Sequence, residues 1–391
     1  MDSIDSKREL ISVLIKEGPI TFAKFMEWAL YHPEHGYYTS QKEKIGRRGD
    51  YYTSSDVHPV FGQLIARQLE EMWRILGRRE FTVVEMGAGK GWLCHDVLTY
   101  ARSCFPEFFN KLEYKIIEIS KYHVRRQSDL LQEFETKVSW ESFSVDGLSA
   151  APLVGCFLSN EFVDSHPVHR VIVKDGSLRE LYVTVKNGEF SEIADEPSEP
   201  LIKEYFGELS IPLKEGQRAE VNLKALEWMK STASNLKKGF VITIDYGYLA
   251  RDLYSDERFR GTLMCYRKHR TEENPFVWIG NQDITSHVNF SGLMNAGVKS
   301  GLSTTGFTKQ SHFLLALGIL DKMKELQGDI GRFLAIKNLI VPGGMGDTFK
   351  VLIQHKGLKT PILTGLRGMS DKGLIQEIES SQSDRARTRK E

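Results

Sequence analysis

Between residues 81 and 160, short apolar runs alternate with stretches of helical period: Phe81–Val84, a helix over 91–104, Tyr114–Ile119, a helix over 121–135, Lys137–Trp140 and Gly155–Ser159. Strands separated by whole helices are not joined as tight hairpins. The rhythm therefore predicts an α/β fold, a parallel sheet covered by helices on both faces with right-handed crossovers. In such a sheet, ligands are expected outside the carboxyl ends of the strands.

The flanking segments add less regular parts. Apolar residues at helical spacing (Ile4, Ile11, Leu14, Ile15, then Phe22, Phe25, Met26, Ala29, Leu30) predict helices over 4–15 and 20–31, with Thr21 placed to cap the second. The period dissolves after His32-Pro33 into glycine, aromatic and hydroxyl residues, as in a loop, and returns over 59–76 with Gly77 as a stop. Residues 168–190 read as a meander turning at Lys174-Asp175-Gly176 and Lys186-Asn187-Gly188. A helix over 222–236 leads to the buried strand Phe240–Ile244, which ends at Asp245-Tyr246-Gly247. Residues 250–310, rich in polar, aromatic and glycine residues, suit a lid or site loop better than a core. A helix over 313–326 and a strand over 349–353 close the fold, and a charged tail beyond Ser380 is expected to be disordered. No internal repeat is visible.

Composition removes several function classes. Lysine plus arginine number 52 and aspartate plus glutamate 52, so no general field draws the chain to nucleic acid or an anionic membrane. No run approaches the roughly 20 apolar residues of a bilayer span, and acids stand at Asp2 and Asp5 where a transit sequence carries bases, so the expected location is cytoplasmic. Cysteines 94, 104, 156 and 265 form no Cys-x-x-Cys pair and the 11 histidines are scattered, so the thiols are expected to be reduced and structural, and no metal is predicted.

The strongest local signal is Val83-Val84-Glu85-Met86-Gly87-Ala88-Gly89-Lys90-Gly91-Trp92: a strand ending in an acid, three alternate glycines, then a helix. The third glycine comes one place early for the dinucleotide fingerprint. Glu85 would also repel a pyrophosphate seeking the helix N-terminus, whereas the sulfonium and ammonium of S-adenosylmethionine match an acid in sign. A tight turn without ligand is the plain alternative. Glu118 ends the next strand where a carboxylate can bind a ribose diol; nicotinamide proteins use the same device, and an exposed strand-end acid is the simpler reading. Farther on, Asn160-Glu161-Phe162-Val163-Asp164 follows another apolar run. A helix starting after Asn160 would put Glu161 and Asp164 on one face, a pair suited to a cationic nucleophile, while ordinary capping by Asn160 explains the same letters.

These motifs, together with Gly18-Pro19-Ile20-Thr21, Pro33-Glu34-His35-Gly36-Tyr37-Tyr38, Gly49-Asp50-Tyr51-Tyr52-Thr53-Ser54, Pro167-Val168-His169, Asp245-Tyr246-Gly247 and Gly346–Leu352, resemble the MidA-like S-adenosylmethionine-dependent methyltransferases over roughly residues 17 to 355. The family pattern usually has proline and arginine where this chain has Ala88 and Lys90, and Asp-Ala-Leu-Pro-Val where it has Asp164-Ser165-His166-Pro167-Val168. The resemblance implies a class I, Rossmann-like methyltransferase with a mostly parallel seven-stranded sheet, an N-terminal helical cap and an inserted helical and hairpin subdomain. It divides the chain into a cap with a cofactor-covering loop (1–80), a first core half (81–175), an insertion (176–236), a second core half with lid loops (237–355) and a C-terminal extension (356–391).

The resemblance further implies S-adenosyl-L-methionine as cofactor and methyl transfer to a protein, linked in the mitochondrial branch with arginine dimethylation of a respiratory complex I subunit. Glu161 and Asp164, beside Asn160, are the catalytic candidates. Glu85, Gly87, Gly89, Gly91, Glu118, Asn160 and the segment Asp50, Tyr52, Thr53 and Ser54 are the cofactor candidates, although hydroxyls in such a loop often merely pack. His169, Asp245 and Tyr246 are the acceptor candidates. The basic run Arg267-Lys268-His269-Arg270 is a solvated surface or a dock for an acidic partner. Expected partners are a protein substrate and a second copy in a homodimer, without nucleic acid or membrane insertion. A small-molecule methyltransferase and a non-catalytic assembly factor are the competing readings.

Overall fold

The computed structural model describes residues 3–40, 50, 53–141, 152–325 and 329–368, so Tyr52 and the tail beyond Ser380 lie outside the described residues. The main sheet takes strands from both halves of the chain: β1 (Phe81–Met86), β2 (Leu112–Ile117), β3 (Val138–Glu141), β4 (Leu153–Asn160), β5 (Leu236–Tyr248), β6 (Ser303–Lys309) and β7 (Phe349–Lys356). Their order among the described residues is β3-β2-β1-β4-β5-β7-β6, with the short strand Val288–Asn289 also pairing with the end of β5. Strands β1 to β5 run parallel, and β7 lies antiparallel between β5 and β6. The parallel strands are those that the alternation predicts, and with the antiparallel late strand they make the class I methyltransferase arrangement that the resemblance implies.

The longer helices are α1 (Ser3–Glu17), α2 (Phe22–Tyr31), α3 (Val60–Ile75), α4 (Trp92–Cys104), α5 (Lys121–Leu130), α6 (Leu223–Asn235) and α7 (Phe290–Lys299), of which α1 and α2 pack in a cluster of their own with Val168, Val183 and Ile284. Side chains of α3 and α4 pack one face of the sheet around Leu64, Leu69, Val97 and Phe240. Those of α6 and α7 pack the other around Trp228, Met229, Phe290 and Leu293. With both faces covered, the central strands are continuously apolar rather than alternating. Thr21 caps α2, its hydroxyl accepting the Lys24 N–H at 3.2 Å, and Phe22, Phe25, Met26, Ala29 and Leu30 form the helix's buried stripe.

Two expectations need correction. Residues 290–309 are core rather than lid: α7 packs through Phe290 and Leu293, and β6 contributes Phe307. Gly297 marks close packing, since a Cβ there would lie 2.4 Å from the Gln354 side chain. The helix expected over 313–326 is two helices, Gln310–Ala316 and Ile319–Glu325, parted at Gly318. Helix α3 packs in the same core as the main sheet. His169–Lys174 joins Ser177–Lys186 and Arg218–Val221 in a second sheet. Ile20–Thr21 pairs antiparallel with Tyr182 and Val183 of that sheet.

All four cysteines are free, and burial pushes the thiols of Cys94, Cys156 and Cys265 upward, as suits packing groups. No described helix is long and apolar enough to cross a membrane.

Candidate active site

The carboxyl ends of β1, β2 and β4 open into a cleft of about 840 Å³. The turn after β1 favours glycine in three places: Gly87, Gly89 and Gly91 have φ of +64°, +54° and +84°. A Cβ on Gly87 would also meet the Phe162 ring at 2.9 Å, so this loop closes against the loop after β4. Gln127, fully buried on α5, fixes its other side by donating to the Gly89 carbonyl (2.8 Å) and the Glu118 carboxylate (3.3 Å) while accepting from Trp140 Nε1 (2.9 Å). Glu118 faces the cleft just past β2, its other oxygen accepting the Ser120 N–H at 2.9 Å.

Glu85 reaches the cleft wall but is not the free anion that the glycine-loop argument assumed. It is 3% exposed, accepts the Tyr114 hydroxyl at 2.7 Å, and burial raises its pKa to about 7. Lys90, the only base in the glycine loop, pairs with Asp56 at 3.1 Å.

The loop after β4 carries the most unusual electrostatics. No helix begins at Asn160; instead Glu161 takes a left-handed φ of +52°. The cause is distant in sequence. The Asp245 carboxylate at the end of β5 accepts the N–H groups of Phe162, Val163 and Asp164 at 3.2, 2.9 and 3.3 Å, wrapping the loop around itself. Glu161 lines the cleft, accepting the Ser54 N–H at 2.7 Å and Asn160 Nδ2 at 3.2 Å. Burial pushes its pKa up to about 8, with Asp164 and Asp56 adding to the rise. Burial likewise raises Asp164, which accepts the Tyr246 hydroxyl, and raises Asp245 well above the carboxylate range with help from Asp164 and Glu161. Three carboxyls so placed cannot all ionise in an empty cleft. Asn160 Oδ1 and Asp164 Oδ1 are buried without a partner, acceptors in excess of donors.

Other candidates lie elsewhere. Asp245 is fully buried and, with Tyr246, scaffolds the loop behind the cleft rather than lining it. His169 pairs with Glu180 at 2.7 Å in the second sheet, away from the cleft lining. Thr53 lines the cleft, whereas Ser54 is buried behind it with its hydroxyl donating to Gln310. Asp50 holds the tip of the basic hairpin, accepting Tyr37 Oη and Lys268 N–H at 2.7 Å each and, through its carbonyl, His269 N–H at 3.0 Å.

Residues not singled out from sequence complete the site. Phe162, His166 and Trp228 make an aromatic wall with ring centroids 4.7 Å (Phe162–His166) and 5.7 Å (Phe162–Trp228) apart. Burial lowers the His166 pKa to about 4, so its imidazole is neutral at pH 7. Tyr31 of α2 also lines the cleft and donates its hydroxyl to the carbonyl of Ser165 in the same loop at 3.0 Å. Only their place in the cleft distinguishes these residues from ordinary core aromatics.

The glycine cradle, the strand-end carboxylate Glu118 and the unpartnered Oδ1 of Asn160, all at the cleft, fit a nucleoside bearing positive charge, and with Lys90 already paired they do not fit a diphosphate. Comparison with known proteins agrees. The family described as "Putative S-adenosyl-L-methionine-dependent methyltransferase" matches residues 64–308. The mitochondrial protein arginine methyltransferase NDUFAF7 of Homo sapiens is 25% identical over 393 residues, covering 90% of this chain and 84% of that protein. Its Drosophila melanogaster homolog is 24% identical, covering 90% and 85%. The crystal structure of a Burkholderia thailandensis protein bound to S-adenosyl-homocysteine superposes with a TM-score of 0.84 at 30% identity, over 94% of this chain and 95% of that one. The chain belongs to the MidA-like family of S-adenosyl-L-methionine-dependent methyltransferases.

Proposed function

We propose that this methyltransferase modifies an arginine side chain of a protein. The observation that carries the reading is the carboxyl cluster of buried Asp164 and Asp245 with half-buried Glu161, which meets the cleft through Glu161 beside the glycine loop. A guanidinium keeps its charge and presents five donors, so it supplies the positive charge and the hydrogen bonds that this cluster lacks. Bound in the glycine cradle, S-adenosylmethionine supplies an electrophilic methyl carbon. Glu118 holds its ribose hydroxyls, and Gly87, Gly89 and Gly91 let the backbone approach it closely. Glu161 orients the attacking nitrogen and takes the proton released as the bond forms, a role suited by a pKa near the working pH. Phe162, His166 and Trp228 exclude water from the acceptor side. Asp164, tied to Tyr246, positions the loop and adds negative potential. Curated relatives carrying the name protein arginine methyltransferase support the same acceptor. A respiratory complex I-type subunit is the acceptor protein that the family resemblance suggests.

The test is label transfer from radiolabelled S-adenosylmethionine to a proteome prepared without this gene. Methylarginines should appear on hydrolysis of labelled polypeptide; label confined to the low-molecular-weight fraction would favour a small-molecule acceptor, and cofactor-free docking of a partner would favour the assembly-factor reading. Two further outcomes follow from the electrostatics. Because Glu161 must be ionised to hold a guanidinium, kcat/KM should rise about tenfold per pH unit below about 8 and level off above it; a flat profile from pH 6 to 9 would remove Glu161 as the base. Glu118→Ala should weaken S-adenosylhomocysteine binding in calorimetry by about 10- to 100-fold, the scale of lost hydrogen bonds to a charged group.

A further inference from the structure

The cleft does not end at Tyr31. A second cavity of about 290 Å³ lies alongside, walled by Leu10 and Val13 of α1, Ile20, and Trp28 and Tyr31 of α2. It shares Glu27, Tyr31 and Pro33 with the main cleft, so the two spaces adjoin across one turn of α2. Leu10 and Ile20 are buried, and Lys24 and Glu27 of α2 contribute charge of both signs to the lining.

The cavity is also pre-formed. Trp28 packs at a tilt on His32 and stacks on His35, with centroids 5.0 and 5.8 Å away, and His35 Nε2 reaches Glu9 of α1 at 2.6 Å, pinning α1 to the turn that follows α2. Filling it would therefore cost little ordering of the protein. The Tyr31 side chain links the two spaces physically: its ring lines both, and its hydroxyl bonds to Ser165 in the loop that carries Glu161.

We infer that this cavity seats an apolar side chain of the acceptor polypeptide, leucine-sized or larger, while the arginine of the same chain occupies the main cleft. The inference rests on the protein-arginine reading above. Extended chain advances about 3.3 Å per residue, and roughly one tyrosine side chain separates the cavity from the acidic loop, so the apolar residue stands about two to four positions from the methylated one. The cap is then a specificity element: it selects arginines by what lies near them in sequence.

The experiment uses the full chain, radiolabelled S-adenosylmethionine and blocked peptides with one central arginine in a glycine-serine background. A single leucine is moved through the positions two to four residues away on either side. At one of these positions leucine should lower KM about tenfold relative to serine, with kcat within about twofold, as expected for burying part of one aliphatic side chain. The gain should disappear in Val13→Trp, which fills the cavity, and in Val13→Asp, which places a carboxylate on its wall. Val13 is only half-buried, and melting curves confirm that each variant is folded. Labelling of every peptide with one KM would overturn this inference and leave the arginine reading standing. Persistence of the leucine gain in both folded variants would do the same. Labelling of no arginine peptide would overturn the arginine reading, and this inference with it.

Discussion

Glu161→Gln is expected to lower kcat by about 10²- to 10⁴-fold, the usual contribution of a positioned acid or base, while making the ligand-free protein more resistant to heat at alkaline pH. The two effects share a cause. The amide keeps an oxygen for the Ser54 N–H and the Asn160 amide, so the loop's hydrogen bonds survive the change. What disappears is an ionisable group that folding has placed beside Asp164 and Asp245 at the wall of the cleft, where it is half-buried. Its folded pKa of about 8 lies above its unfolded value, so the stability contributed by its proton is complete below about 4.5 and is lost as pH rises through 8. Parent and variant should therefore melt alike near pH 4.5. By pH 9 the variant should be the more stable by about 2 kcal/mol or more, the order implied by a shift of several pKa units. Activity near the parent's, or a melting difference that shrinks as pH rises, would contradict the assignment.

Gly155→Ala is expected to unfold the protein or leave it insoluble, at a cost of about 3–5 kcal/mol, the range of the most damaging single substitutions. Gly155 stands in β4 between Thr82 of β1 and Gly239 of β5, its partners in the sheet register. An added Cβ would lie 1.9 Å from the Thr82 carbonyl oxygen, and one on Gly239 would lie 1.9 Å from the Gly155 carbonyl oxygen. Both obstacles are backbone in the middle of the sheet, so no side-chain rotation relieves them. The cleft end of β4, Asn160, is five residues away, and the damage is to pairing rather than to the cleft. Urea titration of parent and variant decides the matter: equal midpoints would mean that the strands can part enough to admit a methyl group.

The half of the cleft proposed to hold the cofactor was legible as a unit because it is built from consecutive residues. A strand ending at Met86, three glycines forced to positive φ and a helix beginning at Trp92 form one local unit, and Glu118 follows from the next repeat of the same unit. The acceptor half depends on contacts distant in sequence. Glu161 and Asp164 were recognisable as chemistry, but their helical spacing was wrong because Asp245, about eighty residues later, captures three N–H groups that a helix would have used otherwise. Asp50, His169 and Tyr246 carry the right functional groups, yet pairing with Tyr37, Glu180 and Asp164 occupies them away from the cleft. Nothing local told α7 from a loop, because Gly292 and Gly297 break up its period and only packing against Tyr205 and Gln354 explains them.

Pairing of Ile20 with Val183 and of Thr21 with Tyr182 binds the two stretches that interrupt or precede the methyltransferase core into one body. A chimera that borrows the first forty residues of a relative without its matching hairpins would leave a sheet margin with the wrong mate. Under the proposed role of the cap in choosing the acceptor, redirecting the enzyme to a new target calls for exchanging both stretches as a single cassette, while the glycine-loop end of the molecule is left as it stands.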